Sequence, residues 1–173
     1  MYRQVSPMPG RDKITPQGKD FFKQIAELEK LQVRVGIQQG AASDDGADMV
    51  DIAMWNELGT AHAPARPYLR QSVEKNKSTI TEMCKQQLVA IVRGQATAEK
   101  ALQAIGAMQV GLVQNEIRNG GFAPNAPITV EGGWMTRNGK AFFIKGKKSN
   151  RPLIDTGRLR QSIKYVIQAK GDD

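Results

Sequence analysis

The residues able to do chemistry are few. The chain has seventeen carboxylates, one histidine and one cysteine. Asp44, Asp45, Asp48 and Asp51 lie close together in sequence, and carboxylates suit hard cations. They lack the bidentate glutamate that closes an EF-hand loop, so they read as a polar loop followed by helix-capping acids. Asp51, Glu57 and Asp155 are the acids a metal-dependent nuclease would have to gather in space, and nothing in their spacing gathers them. A lone His62 excludes a histidine-rich metal centre. A lone Cys84 excludes an intrachain disulfide and fits a reducing compartment. Cys84 reads as a small, inert hydrophobe, buried or half-buried on a helix. The chain holds no Gly-x-Ser-x-Gly elbow, no P-loop, no Gly-x-Gly-x-x-Gly turn and no cysteine pair. The expectation is a non-enzyme, with no catalytic residue, no metal and no cofactor.

The arginines and lysines are distributed unevenly. The chain carries a net charge of +8. Between Trp134 and Lys170 stand ten basic residues and one acid, Asp155, so that segment is +9 and the remainder is −1. Such asymmetry points to a polyanion or an acidic neighbour, or simply to a solvated basic face. Aromatic residues make up 6% of the chain, too few for a base-stacking platform. At 173 residues and 40% hydrophobic, the chain can build one real core. No apolar run approaches the roughly 20 residues of a membrane span, and no secretory signal is expected.

These residues must be positioned by an α+β fold: a small, mainly antiparallel sheet against two long helices, with an N-terminal arm and a C-terminal hairpin and strand region. Residues 1–14 read as an extended arm, and 15–173 as a single domain. Thr15-Pro16 starts a helix running to about Leu31, with Phe21, Ile25 and Leu28 buried. Gln32 to Ile37 alternates as a half-buried strand. Residues 38–47 form a polar loop, ordered, like the arm, only by neighbours. Asp48 caps a helix from Met49 to Leu58, which Gly59 ends in the left-handed conformation. Pro67 opens one long helix to about Arg93, with Leu69, Val73, Ile80, Met83, Leu88, Ile91 and Val92 as its core stripe. Thr97 caps a second, to Asn119, with Ala101, Ile105, Met108 and Leu112 on one face. Ile128-Thr129-Val130 reads as a short strand. Asn138-Gly139 turns a hairpin whose returning strand is Ala141 to Ile144. Ile163, Tyr165 and Ile167 alternate as a closing strand.

Before that strand, Asp155-Thr156-Gly157 forms a stiff corner, a turn or a helix N-cap, leading into Arg158 and Arg160. The stretch Arg151 to Ile163 has an earlier echo at Arg66 to Ser72. Both begin Arg-Pro, and Leu-Arg-Gln-Ser occurs in each; one tetrapeptide does not establish a repeat.

Three stretches, in order and spacing, carry a resemblance. They are Asn56-Glu57-Leu58-Gly59-Thr60 with Pro64 to Arg70, Pro124-Asn125-Ala126-Pro127-Ile128-Thr129, and Pro152 to Ile163. Together they resemble the tail-completion and neck proteins (head–tail joining proteins, or minor tail components) of long-tailed double-stranded DNA phages. The likeness runs from Val33 to Ile167. It implies a structural virion protein made in the host cytoplasm, a ring-forming homo-oligomer, usually six-fold. Its place would be the head–tail junction or the tail, between connector or stopper and tail-tube or tail-terminator proteins, around the DNA channel. It implies no catalysis and no membrane. Arg66, Arg70, Lys145, Lys147, Lys148, Arg151, Arg158 and Arg160 are then candidates for a subunit interface or for non-specific contact with packaged DNA. Asp155, Thr156 and Gly157 would be the structural corner. At least one of Arg158 and Arg160 is expected to pair with a carboxylate of the adjacent subunit. The competing readings are a stand-alone nucleic-acid-binding protein using the basic segment 134–170 and, less favoured, a small metal-dependent nuclease.

Overall fold

A computed structural model describes residues 14–38, 48–137, 139–154 and 157–171. The arm apart from Ile14, residues 39–47 of the expected loop, Asn138, Asp155, Thr156, Asp172 and Asp173 lie outside the described residues. Among those described, the element order begins with α1 (Pro16–Lys30), β1 (Leu31–Ile37), α2 (Met49–Leu58), α3 (Tyr68–Lys75), α4 (Lys77–Val92) and α5 (Ala98–Asn119). It continues with α6 (Pro127–Glu131), β2 (Gly132–Arg137), β3 (Lys140–Lys145), α7 (Arg158–Ser162) and β4 (Ile163–Ala169). The fold is α+β, with two small antiparallel sheets, β1–β4 and β2–β3.

The first and last strands pair along their whole length. Val33 faces Ile167, Val35 faces Tyr165 and Ile37 faces Ile163. The two alternating patterns therefore combine into one apolar face, with Gln32, Arg34, Lys164 and Gln168 on the other. Helix α5 covers the apolar face. It approaches most closely at Gly106, where a Cβ would lie 2.7 Å from the Tyr165 ring and 2.9 Å from Val33 Cγ2. Helices α3 and α4 pack on α5 rather than on the sheet, so α5 is the central element. An ion pair of 2.6 Å between Lys75 Nζ and buried Glu116 Oε1 fastens α3 to α5.

The core joins Met49 and Ala53 of α2, Tyr68 of α3, Val113 and Ile117 of α5, Leu159 of α7 and Ile163 of β4. The repeated tetrapeptide has one conformation at both places: Ser72 Oγ donates to Leu69 O at 2.7 Å, and Ser162 Oγ donates to Leu159 O at 2.8 Å. Each presents its leucine to the core.

Several helix starts follow from side-chain chemistry. Thr15, Asp48 and Thr97 accept from Gly18 N, Val50 N and Lys100 N. Other expectations are corrected. The helix from Pro67 is two helices, because Asn76 (φ −114, ψ 20) leaves helical geometry and its amide donates to Ser72 O at 2.8 Å. The stripe on α4 is only partly core: Ile91 is buried, while Leu88, Val89 and Val92 are exposed. Cys84 is exposed, not buried. The deepest line of α5 runs through Ala98, Ala101, Leu102, Gly106, Val113, Glu116 and Ile117, so Ile105, Met108 and Leu112 are half-buried flanks. Ile128 to Val130 is helical in α6, because Pro127 sits at its first position and Thr129 and Val130 bond back to Ala126 O. Gly59 has φ 79 but ψ 176, an extended glycine conformation instead of the left-handed one.

Candidate functional site

The three stretches that carry the resemblance meet around one cleft of about 370 Å³. Its floor is apolar, built from Met49 and Ile52 of α2 and from Leu153, Ile154 and Leu159. Its polar and cationic lining is Asn56, His62, Arg66, Asn125, Lys147 and Arg158.

Arg66 is the buried member, 8% exposed. Its Nε donates to Ala123 O at 3.1 Å, and one Nη donates to Pro124 O at 3.2 Å and Asn125 Oδ1 at 3.3 Å. Asn125 passes the connection on, its amide donating to Ser149 O at 3.4 Å and Arg151 O at 3.2 Å. One guanidinium thus ties the loop before α3 to 123–125, and one amide ties that loop to 149–151. The planar fork of arginine suits such a set of carbonyls. Burial lowers the Arg66 pKa from its ordinary value, since desolvation disfavours the charged form. Arg66 Nη2 and Nε are therefore committed inside the chain, and any outward contact falls to the remainder of the guanidinium.

Glu57 holds the other wall. Its carboxylate accepts from Leu69 N at 2.9 Å and Arg70 N at 3.1 Å, capping α3, whose own N-cap Pro67 offers no side-chain acceptor. Arg66 N donates to Asn56 O at 2.7 Å. Between these residues the chain turns at Gly59, where a Cβ would lie 2.8 Å from Ala65 N. The spacing of Asn56-Glu57-Leu58-Gly59 and Arg66-Pro67-Tyr68 is thus that of a corner in which the end of one helix caps the start of the next.

The segment that leads into the third stretch carries backbone strain. Lys148 (φ 53) and Leu153 (φ 62) are left-handed without being glycine. Lys147 N and Lys148 N donate to Thr129 O and Val130 O, both at 2.9 Å, fastening this segment to α6. Gly157, described at the end of the corner, is left-handed at φ 78 and precedes α7. Its partners in the corner, Asp155 and Thr156, lie outside the described residues.

The other cationic candidates lie at the surface. Lys145, Lys147, Lys148, Arg151, Arg158 and Arg70 are exposed, and Arg160 is half-buried with its backbone carbonyl accepting from Gln114 Nε2 at 3.1 Å. Lys147 and Arg158 reach the cleft; Arg70, Lys145, Lys148, Arg151 and Arg160 do not line it. Chemically, the arrangement can receive an anionic or hydrogen-bonding group on a greasy floor. Glu57 is engaged with two backbone N–H groups, and among the described residues no three of His, Cys, Asp and Glu gather to hold a metal. No described helix is long and apolar enough to cross a membrane.

Sequence reasoning missed two residues of this site. Glu57 stands in a resembling stretch and among the scattered acids with no capping role, although the absence of a capping side chain at Pro67 signals that α3 needs an acceptor from elsewhere. Asn125 belongs to a resembling stretch but has no role of its own in the sequence, yet a stiff loop with one amide between two prolines marks that amide as its anchor. No family model matches the chain, and searches of curated proteins and of solved structures find no match.

Proposed function

We propose that the chain is a structural virion protein of a tailed phage, a tail-completion or neck protein. It acts by assembly, as a ring at the head–tail junction around the DNA channel. The observation that carries this reading is the convergence of the three resembling stretches on one cleft, lined by Asn56 and Arg66 of the first, Asn125 of the second, and Leu153, Ile154 and Leu159 of the third. Residues that resemble a family's motifs while also forming one connected corner are more telling than the same residues scattered. Stiff proline-rich loops tied by hydrogen bonds suit a ring subunit, because little is lost in ordering them on docking. The exposed cations at 145–151 and Arg158 suit a channel wall or an acidic neighbour.

The test is an image of the particle. A label on the chain should mark a ring where head meets tail, and particles lacking the chain altogether refute the reading. Arg158→Glu and Arg160→Glu refine it. Loss of particle assembly with an intact protomer marks an interface arginine, whereas normal assembly with salt-sensitive DNA leakage marks a channel arginine. A second reading, a stand-alone nucleic-acid-binding protein, draws on the same run of exposed cations. It requires a free monomer or dimer that binds DNA with a steep salt dependence.

A further inference from the structure

Two apolar surfaces of this chain lie open on elements of opposite charge. The first is the β2–β3 hairpin. Trp134 and Phe143 face each other across it, rings edge to face at 5.6 Å, and are 73% and 60% exposed. Met135 and Phe142 face each other on the opposite side and are also exposed. The main support of the hairpin is α6 at its base. A two-stranded hairpin alone is marginal in water, and apolar pairs on both faces leave no side suited to solvent.

The second surface is the outer side of α2. At about 100° per residue, Met49, Ile52 and Ala53 point to one side of the helix and Asp51, Met54, Trp55 and Leu58 to the other. The first set is in or against the core, whereas Met54, Trp55 and Leu58 are 50%, 50% and 63% exposed. A helix with large apolar side chains on both sides is normally covered on both.

Charge joins the two surfaces. Residues 132–145 hold Arg137, Lys140 and Lys145 and no acid, while 48–58 hold Asp48, Asp51 and Glu57 and no base. A third open patch, on α4 at Leu88, Val89 and Val92, lies among both signs (Glu82, Lys85, Arg93), so charge gives the hairpin no preference for it. We propose that the β2–β3 hairpin of one copy docks on the outer face of α2 of a second copy. Trp134 and Phe143 then cover Trp55 and Leu58, and the cations of the hairpin tip face Asp51. The two halves are different surfaces of one chain, so the contact is head-to-tail. Each added copy leaves a free hairpin at one end and a free α2 at the other, and the chain of contacts grows until it closes. This deepens the ring reading by naming its interface.

The experiment is a mass measurement on the purified full chain over a range of concentrations. Two variants are needed: Trp134→Ser with Phe143→Ser on the hairpin, and Trp55→Ser with Leu58→Ser on α2. Wild type should grow past two copies as concentration rises. Each variant alone should associate at least about 30-fold more weakly. Mixed in equal amounts they should pair and stop at two copies, because only one intact hairpin meets one intact α2. A wild type that stays monomeric, a variant that assembles like wild type, or a mixture that stays monomeric or grows like wild type overturns the proposal. Should a variant lose its circular-dichroism signature, Arg137→Glu and Asp51→Lys replace it; each should weaken association and the double reversal should restore it, and no restoration overturns the contact. The virion reading fails separately: a chain that pairs in this way yet is missing from particles sinks that reading and leaves this contact standing.

Discussion

Replacing Tyr68 with phenylalanine should stabilise the protein. Tyr68 is 0% exposed, and its hydroxyl has no hydrogen-bond partner among the described residues. A buried hydroxyl without a partner costs about 1–3 kcal/mol by the mutational measure. Tyr68→Phe keeps the ring in the core with Val113 and Ile117 and removes the stranded group, so a gain of about 1–2 kcal/mol is expected. At about 2–4 °C per kcal/mol for a chain of this size, the melting temperature should rise by about 2–8 °C. The same site sets a pH dependence. Burial, and then the charge of Glu57, raises the phenol pKa above its ordinary 10.0. In the unfolded chain the phenol loses its proton near pH 10, while in the folded chain it keeps it. Above about pH 10 the unfolded state therefore binds fewer protons, and stability falls as pH rises, by up to about 1.4 kcal/mol per pH unit from this group. Below about pH 10 its contribution is flat. Thermal melts of wild type and Tyr68→Phe from about pH 8 to about pH 11 separate this term from the lysines, which both proteins share. The gap between the two proteins should widen above about pH 10. A variant less stable than wild type by more than about 0.5 kcal/mol would show that the hydroxyl is satisfied, and two parallel pH curves would show that burial does not hold its proton; either result refutes the reasoning.

Three further expectations are checked by the same melts. Gly106→Ala should destabilise by about 1–3 kcal/mol because its Cβ would press on Tyr165 and Val33, whereas Gly111→Ala on the same helix, with nothing within 4 Å, should stabilise by about 0.5–1 kcal/mol. Equal effects at the two glycines would mean α5 does not sit on the sheet as described. Gly157→Val should lose about 1–3 kcal/mol, since φ 78 is strained for a branched residue; a loss below about 0.5 kcal/mol would mean that the chain relaxes there. Glu57→Ala should cost about 0.5–2 kcal/mol and raise amide exchange at Leu69 and Arg70, and unchanged exchange at those two amides would remove its capping role.

Local chemistry alone determined much of this protein. Thr15, Asp48 and Thr97 start helices because each oxygen caps the backbone a few residues on, and the alternation at 32–37 and 163–167 made strands. Asn138-Gly139 marked the hairpin, because a two-residue turn needs residues that tolerate positive φ. The order of helices and strands then implied α+β. What needed the folded chain were outcomes that depend on partners distant in sequence. Ile128 to Val130 has the β-branched composition of a strand, but Pro127 and the backbone of 147–148 make it a helix. The stripe on α4 looked like core, yet α5 takes only one side of that helix and leaves Leu88 and Val92 outside. Arg66 reads from the sequence as a contact to a neighbour or to DNA and Glu57 as an acid without a partner, whereas the fold gives one two backbone carbonyls and an amide oxygen and the other the bare start of α3. Side-chain type and spacing report what a residue can bond within a turn or two of itself. Which acceptor stands opposite a buried arginine is set by how loops 57–59 residues away are brought to it, and that is a property of the packed chain.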